Sequence, residues 1–162
     1  MTAGNKPATR ATYQDFPVIR AWSDTFPATP EQVRHARRGL TSFLDGSPIT
    51  ADAVTCLSEL VTNSIEHSES RAPGGQVTVR ATLAAGRLRV EVEDQGGPWC
   101  PVTTNAGGLG GRGLRIVAAL SRDWGKTAQK ARSRTVWFEM GSGSIEDGGT
   151  VPASGWTADP PC

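Results

Sequence analysis

An excess of either sign of charge is missing from this sequence: 17 basic residues are set against 16 acidic ones, for a formal net charge of +1. Counterion release from a nucleic acid needs a clustered surplus of Lys and Arg, so a general nucleic-acid clamp is excluded. No apolar run approaches the roughly 18 residues that cross a bilayer. The opening MTAGNKPATRATYQDF lacks the apolar segment of a secretory signal. Cysteine is scarce and badly spaced for metal: Cys56, Cys100 and Cys162 form no CxxC or CxxH pair, so zinc has no framework. An odd cysteine count without a signal predicts reduced thiols and a cytoplasmic protein. Internal repeats are also absent. What remains, 37% hydrophobic and 20% charged residues over 162 positions, fits one soluble globular domain.

The ends differ from the middle. Gly141 to Cys162 holds eleven Gly, Pro or Ser and the acids Glu146, Asp147 and Asp159, with no Lys or Arg. Such a segment buries too little apolar surface to offset its chain entropy and is expected to be a disordered acidic tail. Residues 1–11 read as a flexible N-terminus, which leaves 12–140 as the folded unit.

Within that unit, FPVIRAWS (16–23) is predicted as a first strand, at an edge because of Pro17. Thr29-Pro30-Glu31-Gln32 reads as an N-cap, a first-position proline and a capping box. The helix that follows runs to Leu44, with Val33, Ala36, Leu40, Phe43 and Leu44 on its apolar face. Arg34, His35, Arg37 and Arg38 make the other face basic: a patch for an acidic partner, or an ordinary solvated face. A second helix spans Thr50 to His67, with Val54, Leu57, Leu60, Val61, Ser64 and Ile65 buried. The period then changes to two: Val77, Val79, Ala81 and Leu83, a turn at 84–87, and Leu88, Val90 and Val92 make a hairpin. A glycine-rich loop (95–110), a third helix (113–121) and two strands (123–128 and 134–140) complete an α+β fold. The expected form is a two-layer sandwich, with a mixed, mainly antiparallel sheet and helices on one face.

Three stretches carry chemistry. Glu59 and Asn63 lie four apart on one helix face, where a carboxylate and an amide oxygen suit a hard cation; by spacing alone they equally fit a solvated face. His67 extends that face, near phosphates or as a partner for the helix dipole. Asp94 closes a strand before Gly96-Gly97, glycines that let backbone approach a flat ring, though Asp before Gly is also a common turn. Five glycines between Gly107 and Gly113 run straight into a helix, and such a run presents N–H groups to phosphate. It lacks the Gly-Lys-Ser/Thr ending of a P-loop and the strand–helix–strand setting of a dinucleotide fold. Arg112 and Arg115 there point either to phosphate or to solvent. Cys56, inside the second helix, and Trp124 and Trp137, in closing strands, are expected to pack. Trp99 lies in the loop, where it can report on a ligand.

In order, Glu59-Leu-Val-Thr-Asn63, Glu93-Asp94-Gln95-Gly96-Gly97, Gly107-Gly-Leu-Gly-Gly-Arg-Gly-Leu114 and Thr135-Val-Trp-Phe138 resemble the Bergerat-fold ATPases, the superfamily of gyrase and the histidine kinases. The chain looks most like the anti-sigma-factor serine kinases and their stand-alone actinobacterial relatives. The resemblance covers about 120 residues. It implies ATP with Mg²⁺, Asn63 as the metal ligand and Glu59 as the general base. It also implies Asp94 as the adenine-specifying residue, Thr135 assisting through a water, and Gly96, Gly108, Gly110, Gly111, Arg112, Gly113 and Leu114 around the nucleotide. Pro98 departs from the pattern, standing where a second loop glycine belongs. The implied activity is transfer of the γ-phosphoryl group to Ser or Thr of a small antagonist protein by a homodimer that holds a sigma factor. Two alternatives remain open: a nucleotide-dependent module that sequesters a partner without phosphorylating it, and a scaffold that keeps the fold without binding nucleotide.

Overall fold

The structure, a computed structural model, describes residues 17–84, 86–97, 112–129 and 133–141. The expectations for 1–11, for most of the glycine-rich loop (with Pro98, Trp99, Gly108, Gly110 and Gly111) and for the acidic tail lie outside those residues.

The order is β1 (Arg20–Pro27), α1 (Gln32–Leu44), α2 (Thr50–His67), a 3-10 turn (Glu69–Arg71), β2 (Gln76–Ala84), β3 (Arg87–Asp94), α3 (Arg112–Leu120), β4 (Asp123–Gln129) and β5 (Ser133–Gly141). The sheet order is β1-β2-β3-β5-β4, and every neighbouring pair is antiparallel. The sheet is therefore not mixed. The helical connection through α3 does leave β3 and β4 running the same way, but β5 lies between them and runs against both.

Strand alternation divides the sheet into two faces. Val77, Val79, Ala81, Leu88, Val90, Val92, Val136, Phe138 and Met140 join Ala36, Leu40, Phe43, Leu57, Leu60, Val61 and Val117 in one core, so the helices cover a single face. Val33 and Leu114, expected on buried stripes, are only partly covered. In α3 only Val117 is fully buried, and Leu120 is exposed. Trp124 packs against the core. Trp137 lies on the opposite sheet face, so close over Gly125 that an added Cβ would come 2.8 Å from its ring, with the Arg89 guanidinium 4.1 Å from a ring centroid.

Two local expectations need correction. The first strand is not 16–23 but Arg20–Pro27. Pairing with β2 sets Phe26 opposite Val77 and turns Trp22 and Phe26 inward, while Val18 and Ile19, from the apolar run, stand 58% and 63% exposed. Alternation Trp22-x-Asp24-x-Phe26, not local apolar density, marked the strand. The capping box does not form either: α1 begins at Gln32 with Glu31 as its cap residue and no side-chain cap. Thr29 instead bonds the Glu31 carboxylate, which with Glu31's own backbone bond holds that carboxyl below its usual range.

α1 and α2 are held side by side by packing and by Arg37, whose Nη1 donates to Ser58 Oγ at 2.9 Å. That contact makes Arg37 a helix tether rather than a free member of the basic face. His35 meets Asp24 of β1 at 2.8 Å and lies edge-on to Phe26. Cys56 is fully buried, and burial, then Asp52 and Glu59, push its thiol up to about 12. It packs in the core, as expected.

Candidate functional site

α2 packs on the sheet between α1 and α3, and its apolar stripe fixes which way its polar face turns. Glu59 and Asn63 share that face and are half-buried. Glu59 is directed at the start of α3: a Cβ built on Gly113 would lie 2.5 Å from Glu59 Oε2 and 3.4 Å from its Cβ and Cδ. Gly113 carries no positive φ, so a side chain there would meet the Glu59 carboxylate rather than a strained backbone. The structure thus joins two sequence boxes, the Glu59-to-Asn63 face and the first turn of α3. Arg112 and Arg115 are exposed, and Leu114 sits partly against the core. His67, at the last turn of α2, is exposed and 3.6 Å from Glu66, which favours the helix-end reading.

The end of β3 is bound more tightly than a surface turn. Asp94 is 2% exposed, and its Oδ1 accepts from Gly96 N–H at 2.8 Å. Its Oδ2 accepts from Arg134 Nη2 at 2.6 Å and Nε at 3.2 Å. Arg134 is 5% exposed and stands directly opposite Asp94 in the β3–β5 register. Gly96 and Gly97 adopt φ values of 74° and 104°, and Gly97 lies against Glu69. Glu69 N–H donates to Gly96 O, and Gln95 N–H donates to Ser70 Oγ, so the 3-10 turn clamps the Asp94 turn. Glu69, Arg71, Ala72 and Gln95 line an open cleft of about 450 Å³ beside it.

Thr135 is not brought to Asp94. The register sets Thr135 opposite Glu93, so alternation turns it to the other sheet face, where its Oγ1 is enclosed without a partner among the described residues. The expectation that Thr135 assists Asp94 is corrected on this ground, and Arg134 takes the adjacent place. Sequence reasoning gave Arg134, the first residue of the strand expected over 134–140, no role. Only the β3–β5 register, which pairs the last residue of β3 with the second residue of β5, brings Arg134 to Asp94.

Among the described residues no group of three or more His, Cys, Asp or Glu gathers. The donor set at α2 is one carboxylate and one amide, which fits a Mg²⁺ ion completing its shell with phosphate oxygens and water.

The sequence pattern of the histidine kinase-like ATPase domain matches residues 26–140. Among solved structures the chain is similar to the crystal structure of the RsbU and RsbW domains of Rv1364c from Mycobacterium tuberculosis. The two are 25% identical with a TM-score of 0.55, and the match covers 75% of this chain and 32% of that one. This chain therefore spans about a third of the length of that solved chain. No curated protein matches it.

Proposed function

The chain belongs to the histidine kinase-like ATPase domain family, and from that premise we propose that it is an ATP-dependent protein serine/threonine kinase of the anti-sigma type. The observation that carries the reading is the approach of Glu59 to Gly113 at the first turn of α3. This approach supports Glu59 as a base acting beside a helix N-terminus that would receive phosphate.

In this mechanism Asp94 accepts from the adenine amino group and the first-turn N–H groups of α3 receive phosphate oxygens. The Ser or Thr hydroxyl oxygen of the acceptor forms a bond to the γ-phosphorus. The bond from that phosphorus to the bridging oxygen breaks, ADP leaves with the bond electrons, and Glu59 takes the hydroxyl proton. Asn63 would hold Mg²⁺, which supplies neutralisation of phosphate charge. Positioning and charge do most of the work. A small antagonist protein is the proposed acceptor, and a sigma factor the partner held by a homodimer.

The retained carboxylate at Glu59 supports a kinase over a sequestering module, because binding ATP needs no base. The test is calorimetry with ATP and Mg²⁺ together with transfer of labelled phosphate to small proteins encoded nearby. Wild type is expected to bind and transfer. Asn63→Ala and Asp94→Asn should weaken binding, and Glu59→Gln should bind but not transfer. Undiminished transfer by Glu59→Gln would refute the assignment of the base.

A further inference from the structure

Asp94, the carboxylate proposed above to read the base, is held in an ion pair with Arg134. Both side chains are buried, at 2% and 5% exposure, on the helix-covered face of the sheet. A carboxylate left alone at that depth would be costly, and a guanidinium equally so. Together they present an acceptor and a donor side by side, held by two bonds to one oxygen, Oδ2. The other oxygen, Oδ1, is fixed by Gly96 N–H, so the carboxylate cannot rotate away.

We propose that Arg134 is a second base-reading residue: it donates to adenine N1 while Asp94 accepts from the adjoining 6-amino group. This rests on the ATP-binding reading above and deepens it. Adenine carries a donor and an acceptor next to each other on its edge, the 6-amino group and N1, and the Asp94–Arg134 pair is the complementary acceptor and donor. N1 rather than N7 is the partner because N1 lies on the edge far from the ribose. A base entering with that edge first would meet the deepest polar groups, whereas N7 would stay on the side of the sugar and phosphates. Arg suits the task where Lys does not: its planar fork has five N–H donors, so it holds Oδ2 through two of them and stays in the plane of a base. The carboxylate still keeps acceptor capacity, since an ionised Asp offers about four lone-pair sites and three are engaged here.

Ligand-side deletion tests this without altering the protein. Affinities of the full chain for ATP, 1-deaza-ATP and 7-deaza-ATP are measured by calorimetry at one Mg²⁺ concentration. 1-Deaza-ATP should bind about tenfold to a hundredfold more weakly than ATP, because a charged buried donor loses its acceptor. 7-Deaza-ATP should bind within about threefold of ATP. In Arg134→Lys, chosen to keep the charge and the fold, the 1-deaza penalty should shrink to about threefold or less. Equal binding of ATP and 1-deaza-ATP by wild type would overturn the proposal, as would a penalty falling on 7-deaza-ATP instead. Tighter ATP binding by Arg134→Lys would also overturn it, by showing that the guanidinium blocks the base. No ATP binding by wild type at all would overturn the nucleotide reading, and this inference with it.

Discussion

Replacing Gly113 by Ala separates the geometry of the site from the stability of the fold. The new methyl would start 2.5 Å from Glu59 Oε2, and ordinary contact begins near 3.4 Å, so the carboxylate must retreat by the difference, about 0.9 Å. The obstacle is the end of a flexible side chain, and shifting it off its preferred rotamer costs about 0.5–1.5 kcal/mol. Against that, Ala is favoured over Gly in a helix by about 1 kcal/mol, and Gly113 needs no left-handed backbone. The two effects nearly cancel, so the melting temperature should move by only a few degrees. Catalysis should not escape. A general base contributes about a hundredfold to ten-thousandfold, and a displacement of about 1 Å can cost a hundredfold. The assay is labelled phosphoryl transfer to the acceptor protein alongside thermal melting. Transfer should fall tenfold to a hundredfold with the fold intact. Wild-type transfer in Gly113→Ala, with Glu59→Gln inactive, would refute the placement of the base against α3.

Other consequences are independent of catalysis. Gly39→Ala drives a methyl into the Trp22 ring lying on α1, a rigid neighbour that cannot swing aside, and should cost about 1–3 kcal/mol in urea unfolding; an unchanged midpoint would contradict that packing. Asp94→Ala strands the Arg134 guanidinium in the interior and should destabilise by about 3–5 kcal/mol, with Asp94→Ala/Arg134→Met losing less than the sum of the two single changes; strict additivity would deny the coupling. Cys56 is held protonated up to about 12 against an ordinary thiol value of 9.0. Above pH 9 the unfolded chain releases a proton that the folded chain retains, so stability should fall as pH rises from about 9 to 12, and Cys56→Ala should show a shallower decline. Identical slopes for the two proteins would remove that assignment.

Helix periodicity was legible in the sequence because α1 and α2 bury a single stripe each: the buried set Ala36, Leu40, Phe43 and Leu44, and the stripe from Val54 to Ile65, follow from spacing alone. The hairpin was legible for the same reason, with Val77, Val79, Ala81, Leu88, Val90 and Val92 alternating into the core. The boxes at Glu59, Asn63, Asp94 and Gly113 were legible as residue types and spacing, which local chemistry constrains. Strand registers were not. Trp22 and Phe26, rather than Val18 and Ile19, define β1 because pairing with β2 decides which residues face inward. The same holds at the site. One register step in β5 determines that Arg134, and not Thr135, stands opposite Asp94, and a strand shifted by one residue turns every side chain to the other face. Contact between Glu59 and Gly113 joins segments distant in the chain through the packing of α2 against α3. Short-range pattern therefore specified which elements form and which faces are apolar. Long-range pairing alone decided which polar groups meet, because hydrogen bonds and ion pairs depend on ångström distances that only the assembled sheet and helices set.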